Sequence, residues 1–503
     1  MRHLRRWLLV GQAVLVLVLA LGLRLRWFPL GVPGEWEWLR VKVWPTAIGL
    51  VISSLAVGFY AGFVAIGFRD LARRKAVSRL RECAWVAGLT LAAILAQLFV
   101  QAGAADEYDL TKWAYVNYFP SSTGYYKVAH EQMGDAPERF LADYSEWIRN
   151  QDSLHIGTHP PGLFVAHWYL ARKLREHPGV SSWLTSVMPL ATKEGFRQLE
   201  ILNRVTISQP DRAALFLAGV LTLFASAGTV IPLYLLARAE RGALFSWCTA
   251  AFWPLASAPV LFQPDADAAY PLLSTAAWAL TVWAVRDRSR PAIGILLAVT
   301  AGAILGIGMF CSLVFLAVGL IVGLILATHF EAAIGRRAAL ILAVGVGFLA
   351  VTGLIWKMTG SNPFVIWWWN QHHHARFYDE FPRTYWAWFI ANPIEMAIAL
   401  GLPTTLWCLI GFGRVGREAG QTEVVATRSA WVTLAVLVLL NLVGRNLGEV
   451  ARLWQLFLPP LLIAAAAGLL RLNGGPRTLG ASVALLGLQT IILQVAIQVV
   501  YPV

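Results

Sequence analysis

The chain has 503 residues, of which 58% are hydrophobic and 14% charged, and its mean hydropathy is +0.60. A water-soluble fold of this length needs a charged exterior, so the composition excludes one and assigns the apolar surface to a bilayer. The net charge of +13 is dispersed over short links with no continuous basic face, which argues against nucleic-acid binding.

Apolar runs approach the ~20 residues that cross a membrane as a helix. They predict spans near 7–23, 44–68, 83–101, 213–237, 243–262, 268–285, 292–310, 312–328, 338–357, 394–412, 429–444, 453–470 and 479–499. The reading is an all-α, polytopic transmembrane bundle of about 11–13 spans. The first run is longer than a signal-peptide core and lacks a small-residue cleavage site, so it reads as a retained span. Cys83, Cys248, Cys311 and Cys408 lie in or beside apolar runs without metal-ligand spacing and read as small hydrophobes.

Basic residues mark alternate links: Arg2, Arg5 and Arg6; Arg69, Arg73, Arg74, Lys75, Arg79 and Arg81; Arg286, Arg288 and Arg290; Arg336 and Arg337; Arg414 and Arg417. By the positive-inside bias these links are cytoplasmic, with the N-terminus inside. Arg24, Arg26, Arg40 and Lys42 conflict with that orientation, but the basic residues of 69–82 outweigh them. Two long segments, 102–212 and 358–393, then lie outside, with the short links 263–267 and 445–452. Segment 102–212 is long and aromatic-rich, which favours a functional loop over a disordered one. Within it, Pro160 and Pro161 open a helix whose amphipathic, basic tail suits the membrane surface.

The outer segments hold the chemistry-bearing residues. Asp106, Glu107 and Asp109, just after the third span, can supply a general base, hold a divalent cation, or merely solvate a helix end. His159 precedes the rigid Pro-Pro pair, which either holds it for binding or simply makes a turn. Asp265 and Asp267 occupy a very short link and face either a watery cavity or the interface. Arg445, Glu449 and Arg452 open the twelfth span. Glu449 and Arg452 are spaced to pair on one helical face, and an arginine fork at head-group level matches phosphate. Trp367, Trp368, Trp369, Trp386 and Trp388 read as an interfacial belt that can also stack on sugars. His372, His373 and His374 are consecutive and cannot converge on one ion, so no metal ligands are assigned. Arg376 and Arg383 suit either phosphate or lipid head groups.

The ordered set of outer acids, GYYKVA, THPPG at 158–162, PDAD and GEVARLWQLFLPP at 448–460 resembles the GT-C glycosyltransferase superfamily. It is most similar to bacterial family-39-like proteins and protein O-mannosyltransferases. The resemblance covers roughly 83–470 and implies a catalytic core there, preceded by two extra spans with a basic loop (1–82) and followed by a last helix (471–503). It implies transfer of a sugar from a polyprenyl-phosphate donor to a protein, lipid or glycan acceptor at the non-cytoplasmic face of a bacterial inner membrane. Asp106, Glu107 and Asp109 would then be catalytic, and Tyr125, Tyr126, His159, Asp265, Asp267, Arg376, Arg445, Glu449 and Arg452 would bind substrate. Many relatives place an acid directly before the tyrosine segment, where this chain has Ser122 and Thr123. Two alternatives stand beside the transferase: a transporter or flippase of a lipid-linked or polar substrate, and a relative that binds a lipid carrier without turning it over.

Overall fold

The structure is a computed structural model and describes residues 2–74, 76–120, 122–286, 290–413 and 424–498. Lys75, Ser121, Arg288, Arg414 and Arg417 lie outside the described residues. The long helices are, in order, α1 (Arg2–Leu25), α2 (Ala47–Ala72), α3 (Arg79–Val100), α4 (Gly162–Glu176), α5 (Pro178–Val187), α6 (Leu190–Asn203), α7 (Gln209–Gly228), α8 (Val230–Glu240), α9 (Ala243–Phe252) and α10 (Tyr270–Arg286). There follow α11 (Pro291–Cys311), α12 (Phe315–Ala327), α13 (Ile334–Thr359), α14 (Pro363–Glu380), α15 (Tyr385–Leu400), α16 (Leu402–Gly413), α17 (Val424–Val443), the one-turn α18 (Val450–Leu453), α19 (Leu458–Arg471) and α20 (Pro476–Ala496). Sheet is confined to two short ladders among the described residues: β1 (Gly31–Val32) with β2 (Trp36–Glu37), and β3 (Leu39–Arg40) with β4 (Ile497–Gln498).

Each expected span has helix at its centre, although 479–499 leaves helix after Ala496 and its last residue lies outside the described residues, and the fold is an all-α bundle. Among the described residues, length and composition alone qualify eight helices as membrane spans: α1, α2, α3, the joined α7–α8, α10, α11, α13 and α20. The bent pair α15–α16 makes a ninth, and only the shorter apolar helices near 243–255, 315–327, 428–443 and 455–471 raise the number to the 11–13 expected. The helix at 243–255 is buried at every residue but the half-buried Leu244, so its apolar sequence answers to protein neighbours. Conversely, α2 and α13 turn Ile48, Leu55, Phe59, Leu342 and Val346 outward, the arrangement that a lipid solvent permits.

Local chemistry sets the ends and crossings. Thr46 caps α2 by accepting from Gly49 N at 3.1 Å, and Ser78 and Ser208 cap α3 and α7 in the same way. Small residues bring α11 onto α13: a Cβ on Gly302 would lie 1.9 Å from Val344 O, and one on Gly347 would lie 2.0 Å from Val299 O. The run 394–412, expected as one span, is broken by 106° at Gly401, whose φ is +95°. Gln489 of α20 satisfies the break, accepting from Leu402 N at 2.8 Å and donating to Ile398 O at 2.9 Å.

The two ends of the bundle differ. At one, Asp70 pairs with Arg81 at 2.7 Å and Arg74 at 3.4 Å, and Glu82 pairs with Arg238 at 2.9 Å, while Arg336 and Arg337 bond the carbonyls of Ala284 and Ala327. The other gathers the α1–α2 hairpin, the long segment after α3, and the links before α10, α14, α15 and α18. Arg40, one of the basic residues in conflict with the charge bias, donates to Leu23 O and Phe28 O at 2.8 Å each and closes the end of α1.

Candidate active site

The second half of the chain builds the site on a reversal between α17 and α18. Gly444 (φ +64°), Gly448 (φ +117°) and Glu449 (φ +54°) all take left-handed backbone, which turns the chain sharply back into the bundle. A glycine adopts this freely, whereas Glu449 is held there against an intrinsic cost of about 1–2 kcal/mol. Glu449 therefore caps α18 from outside the helix, correcting the expectation that it shares a helical face with Arg452. The pair forms nonetheless, Arg452 Nη2 lying 2.8 Å from the Glu449 carboxylate. Tyr378 of α14 pins the reversal: its hydroxyl accepts from Leu447 N and donates to Arg445 O, both at 3.0 Å.

Arg452 also reaches the link before α10. Its Nε lies 3.4 Å from Asp267 Oδ2 and its Nη1 lies 3.8 Å from Asp265 Oδ2. Asp265 folds that link by accepting from Asp267 N at 3.3 Å, an Asx-type turn. Burial opposes the Arg452 charge, but Glu449, Asp267 and Asp265 outweigh it and hold the guanidinium more firmly protonated. Burial and the neighbouring Asp267 push the Asp265 carboxyl up, against the pull of Arg452. Four residues from two remote links thus form one ion cluster.

The cluster borders a cavity of about 580 Å³ lined by Glu449, Arg452, Arg445, Arg383, His155, His159, His374 and Asn370 at its polar end. Leu313, Leu316, Leu320, Leu440 and Leu453 form its apolar wall, where α12 and α17 meet. Among the described residues neither Arg383 nor Arg445 makes an ion pair, and Nε and Nη1 of Arg383 are buried without a hydrogen-bond partner. His159 Nδ1 sits 2.6 Å from His155 O. Burial and nearby arginine charge lower the pKa of both His159 and His374 below the usual imidazole value, with the His155 carbonyl opposing this at His159.

The other sequence candidates fall elsewhere. Tyr125 is buried against His159, ring centroids 5.5 Å apart, and backs the cluster. Tyr126 packs against Tyr118 and His130 and does not line the cavity. Arg376 turns away, bonding Gln151 O at 2.9 Å and Glu380 at 3.0 Å. None of Asp106, Glu107 and Asp109 lines the cavity. Asp106 and Glu107 are exposed, while Asp109 accepts from Thr111 N at 2.8 Å and Thr111 Oγ1 at 2.7 Å. Burial pushes the Asp109 carboxyl up, and burial pushes the adjacent Lys112 ammonium down to about 8. Thr123 donates to Val116 O at 3.2 Å in a buried turn.

Of the aromatic belt, Trp368 and Trp386 are exposed, but Trp388 is fully buried. The three histidines diverge as their succession requires: His372 lies against Trp369, His373 bonds Ile148 O at 2.8 Å, and His374 faces the cavity. Among the described residues no group of three His, Cys, Asp or Glu side chains has metal-binding geometry. Arg383, expected from the sequence to suit phosphate or head groups, lines the cavity, and His374 joins it, although nothing in the sequence marks His374 beyond its run of three histidines.

No family model matches the chain, and no curated protein is similar to it at a significant level. Among solved structures the chain is similar to the oligosaccharyltransferase of Archaeoglobus fulgidus, crystallised with a tethered acceptor peptide containing the NVT sequon, at 13% identity and a TM-score of 0.39. The match covers 77% of this chain and 49% of that one, so this chain spans about half the length of that protein. A likeness of this degree leaves the activity to be argued from the site.

Proposed function

We propose that the chain is a membrane glycosyltransferase that moves a sugar from a polyprenyl-phosphate donor to an acceptor hydroxyl on the non-cytoplasmic side. The observation that carries this reading is the split lining of the cavity, an apolar wall between α12 and α17 facing a polar end with Arg383 and Arg445. A phosphate esterified to a long hydrocarbon fits both: the chain lies along the leucines and the anion meets the guanidinium groups. The order of motifs along the sequence supports the same reaction class. The basic links at the opposite end of the bundle support an outward-facing cavity with a cytoplasmic N-terminus, in a bacterial inner membrane.

On this reading the acceptor oxygen attacks the anomeric carbon while the bond from that carbon to the donor phosphate oxygen breaks. Glu449 is the carboxylate that lines the cavity, and it takes the acceptor proton as general base. Arg383 and Arg445 stabilise the charge that develops on the departing phosphate. Arg452, bound to Glu449, Asp265 and Asp267, fixes the direction of the base. The earlier candidates Asp106, Glu107 and Asp109 remain a second assignment for the base, one that requires the segment after α3 to rearrange towards the donor.

The test is a reconstituted assay with a panel of polyprenyl-phosphate sugars and peptide, lipid and glycan acceptors. A covalent product, with a raised KM for the donor in Arg383→Gln and Arg445→Gln, is expected. Movement of the donor across the vesicle without a product would replace this reading with a flippase. Saturable binding without turnover across the panel would replace it with a silent lipid-carrier protein.

A further inference from the structure

The polar end of the cavity is braced from outside by the two N-terminal helices. Between α1 and α2 the chain forms the hairpin β1–β2, which turns at Gly34 (φ +80°) and presents Glu35. The Glu35 carboxylate accepts from Thr384 N at 2.9 and 3.1 Å and from Trp388 Nε1 at 2.6 Å. Trp36 packs on Trp388 with ring centroids 6.3 Å apart. The hairpin is itself anchored: Val41 N donates to Ala496 O at 3.0 Å, and β3 pairs with β4 at the end of α20.

Trp388 carries that brace to the cavity. The Arg383 guanidinium, which lines the cavity, lies over its ring at 5.7 Å and over Phe377 at 5.9 Å. On another side the ring meets Gly448, where an added Cβ would come within 3.3 Å of it. The Trp388 indole thus separates Glu35 from the reversal that bears Glu449, whereas Arg383 is reached directly as well, by charge and through the adjoining Thr384 N–H. Glu35 is met by two N–H groups, Thr384 N shared between both oxygens and Trp388 Nε1, and by the Thr384 hydroxyl, so a carboxylate, which only accepts, fits this position better than an amide.

We propose that Glu35 is a positioning residue that sets Arg383 through the adjoining Thr384, and the Gly448–Glu449 turn through Trp388, for an anionic lipid in the cavity. The identity of the anion as a lipid phosphate rests on the function proposed above. The bracing does not.

The experiment uses the full-length protein in lipid nanodiscs, with farnesyl phosphate and uncharged farnesol as probes, and amide hydrogen exchange as an independent readout. Glu35→Ala is expected to speed exchange both at residues 384–388 and, across the indole, at 445–450. It should raise the Kd for farnesyl phosphate about tenfold, the size of one lost charge-assisted hydrogen bond, and leave farnesol binding unchanged. Glu35→Gln should fall between wild type and Glu35→Ala. Trp388→Phe, which removes both the N–H and the outer indole ring that meets Gly448, should itself speed exchange at 445–450, and Glu35→Ala should add little to it in the double variant. Faster exchange confined to 384–388, with 445–450 and the phosphate Kd at wild-type values, would overturn the proposal. Failure of the wild type to bind farnesyl phosphate would instead remove the lipid-phosphate reading, and the exchange at 445–450 would still decide the role of Glu35.

Discussion

Arg452 Nη2 and the Glu449 carboxylate meet at 2.8 Å although Glu449 lies outside the helix that carries Arg452, its backbone left-handed at φ +54°. The arginine also holds Asp265 and Asp267, so it is the hub of the cluster. Breaking a buried ionic group by removing one partner costs about 3–5 kcal/mol, because the remaining charges stay buried and uncompensated. Arg452→Met should therefore lower the thermal midpoint strongly in a detergent melt and abolish transfer. Adding Asp267→Asn removes one stranded carboxylate and should restore part of the midpoint but none of the activity. Equal melting of Arg452→Met and wild type would show that the cluster is not held by charge.

The place of the general base separates two carboxylate sets. Glu449→Gln is expected to reduce kcat by about 10²–10⁴, the span of general-base catalysis, with donor affinity little changed. Asp106→Asn and Glu107→Gln should retain wild-type kcat, since both side chains are exposed away from the cavity. Asp109→Ala should lose about 1–2 kcal/mol of stability by leaving Thr111 without its acceptor, before any effect on chemistry. A full loss of kcat in Asp106→Asn with Glu449→Gln active would move the base back to the first loop.

Donor affinity should depend on pH through His159 and His374. Both are held below the usual imidazole pKa, mainly by burial, and so are neutral at pH 7. A phosphodiester donor keeps one negative charge throughout, so protonating these rings as the pH falls towards their lowered pKa values adds attraction and lowers Kd. The sign for the empty protein is opposite: the unfolded chain binds these protons more readily, so stability rises with pH here and is lost as pH falls. Titrating donor binding from pH 7.5 to 5.5 tests this, and His159→Gln with His374→Gln should flatten the profile.

The helices were legible because hydropathy is a local property, and twenty apolar residues announce themselves without reference to the rest of the chain. What each helix meets is not local. The run at 243–255 has a span's composition yet is sealed inside the bundle, and only packing reveals that. The acids and bases of the short links were likewise visible, but not the convergence of Asp265 and Asp267 on Arg452, which depends on how α10 and α18 come together. Arg376 and Arg383 looked equivalent in sequence. Glu380, four residues after Arg376, was the available sign that Arg376 spends its charge along its own helix. Thr111, two residues after Asp109, signalled a capped turn in the same way. Glu35 carried no signal, since its donors come from the far end of the sequence.

The break between α15 and α16 links stability to the site. At Gly401 the helix ladder is interrupted inside the bundle, where water cannot satisfy the freed groups. Gln489 supplies both replacements, an acceptor for Leu402 N and a donor to Ile398 O, and it donates as well to Ser257 at 3.1 Å. Gln489→Leu has similar bulk but neither function, so Leu402 N loses its acceptor and Ile398 O keeps only Gly401 N, at 3.1 Å. Interhelical hydrogen bonds in membranes average about 0.6 kcal/mol and reach about 1.7, so a loss of about 2 kcal/mol is expected for the set. The consequence should extend beyond stability, because α15 begins at Tyr385, next to Arg383, and carries Trp388 on its first turn. A helix that can straighten at Gly401 no longer holds that turn against Gly448. Gln489→Leu should therefore raise the KM for a lipid-phosphate donor by more than it lowers kcat. Gln489→Glu, which keeps the acceptor for Leu402 N, should fall between the two. A thermal loss in Gln489→Leu with an unchanged KM would confine the role of Gln489 to the bend itself.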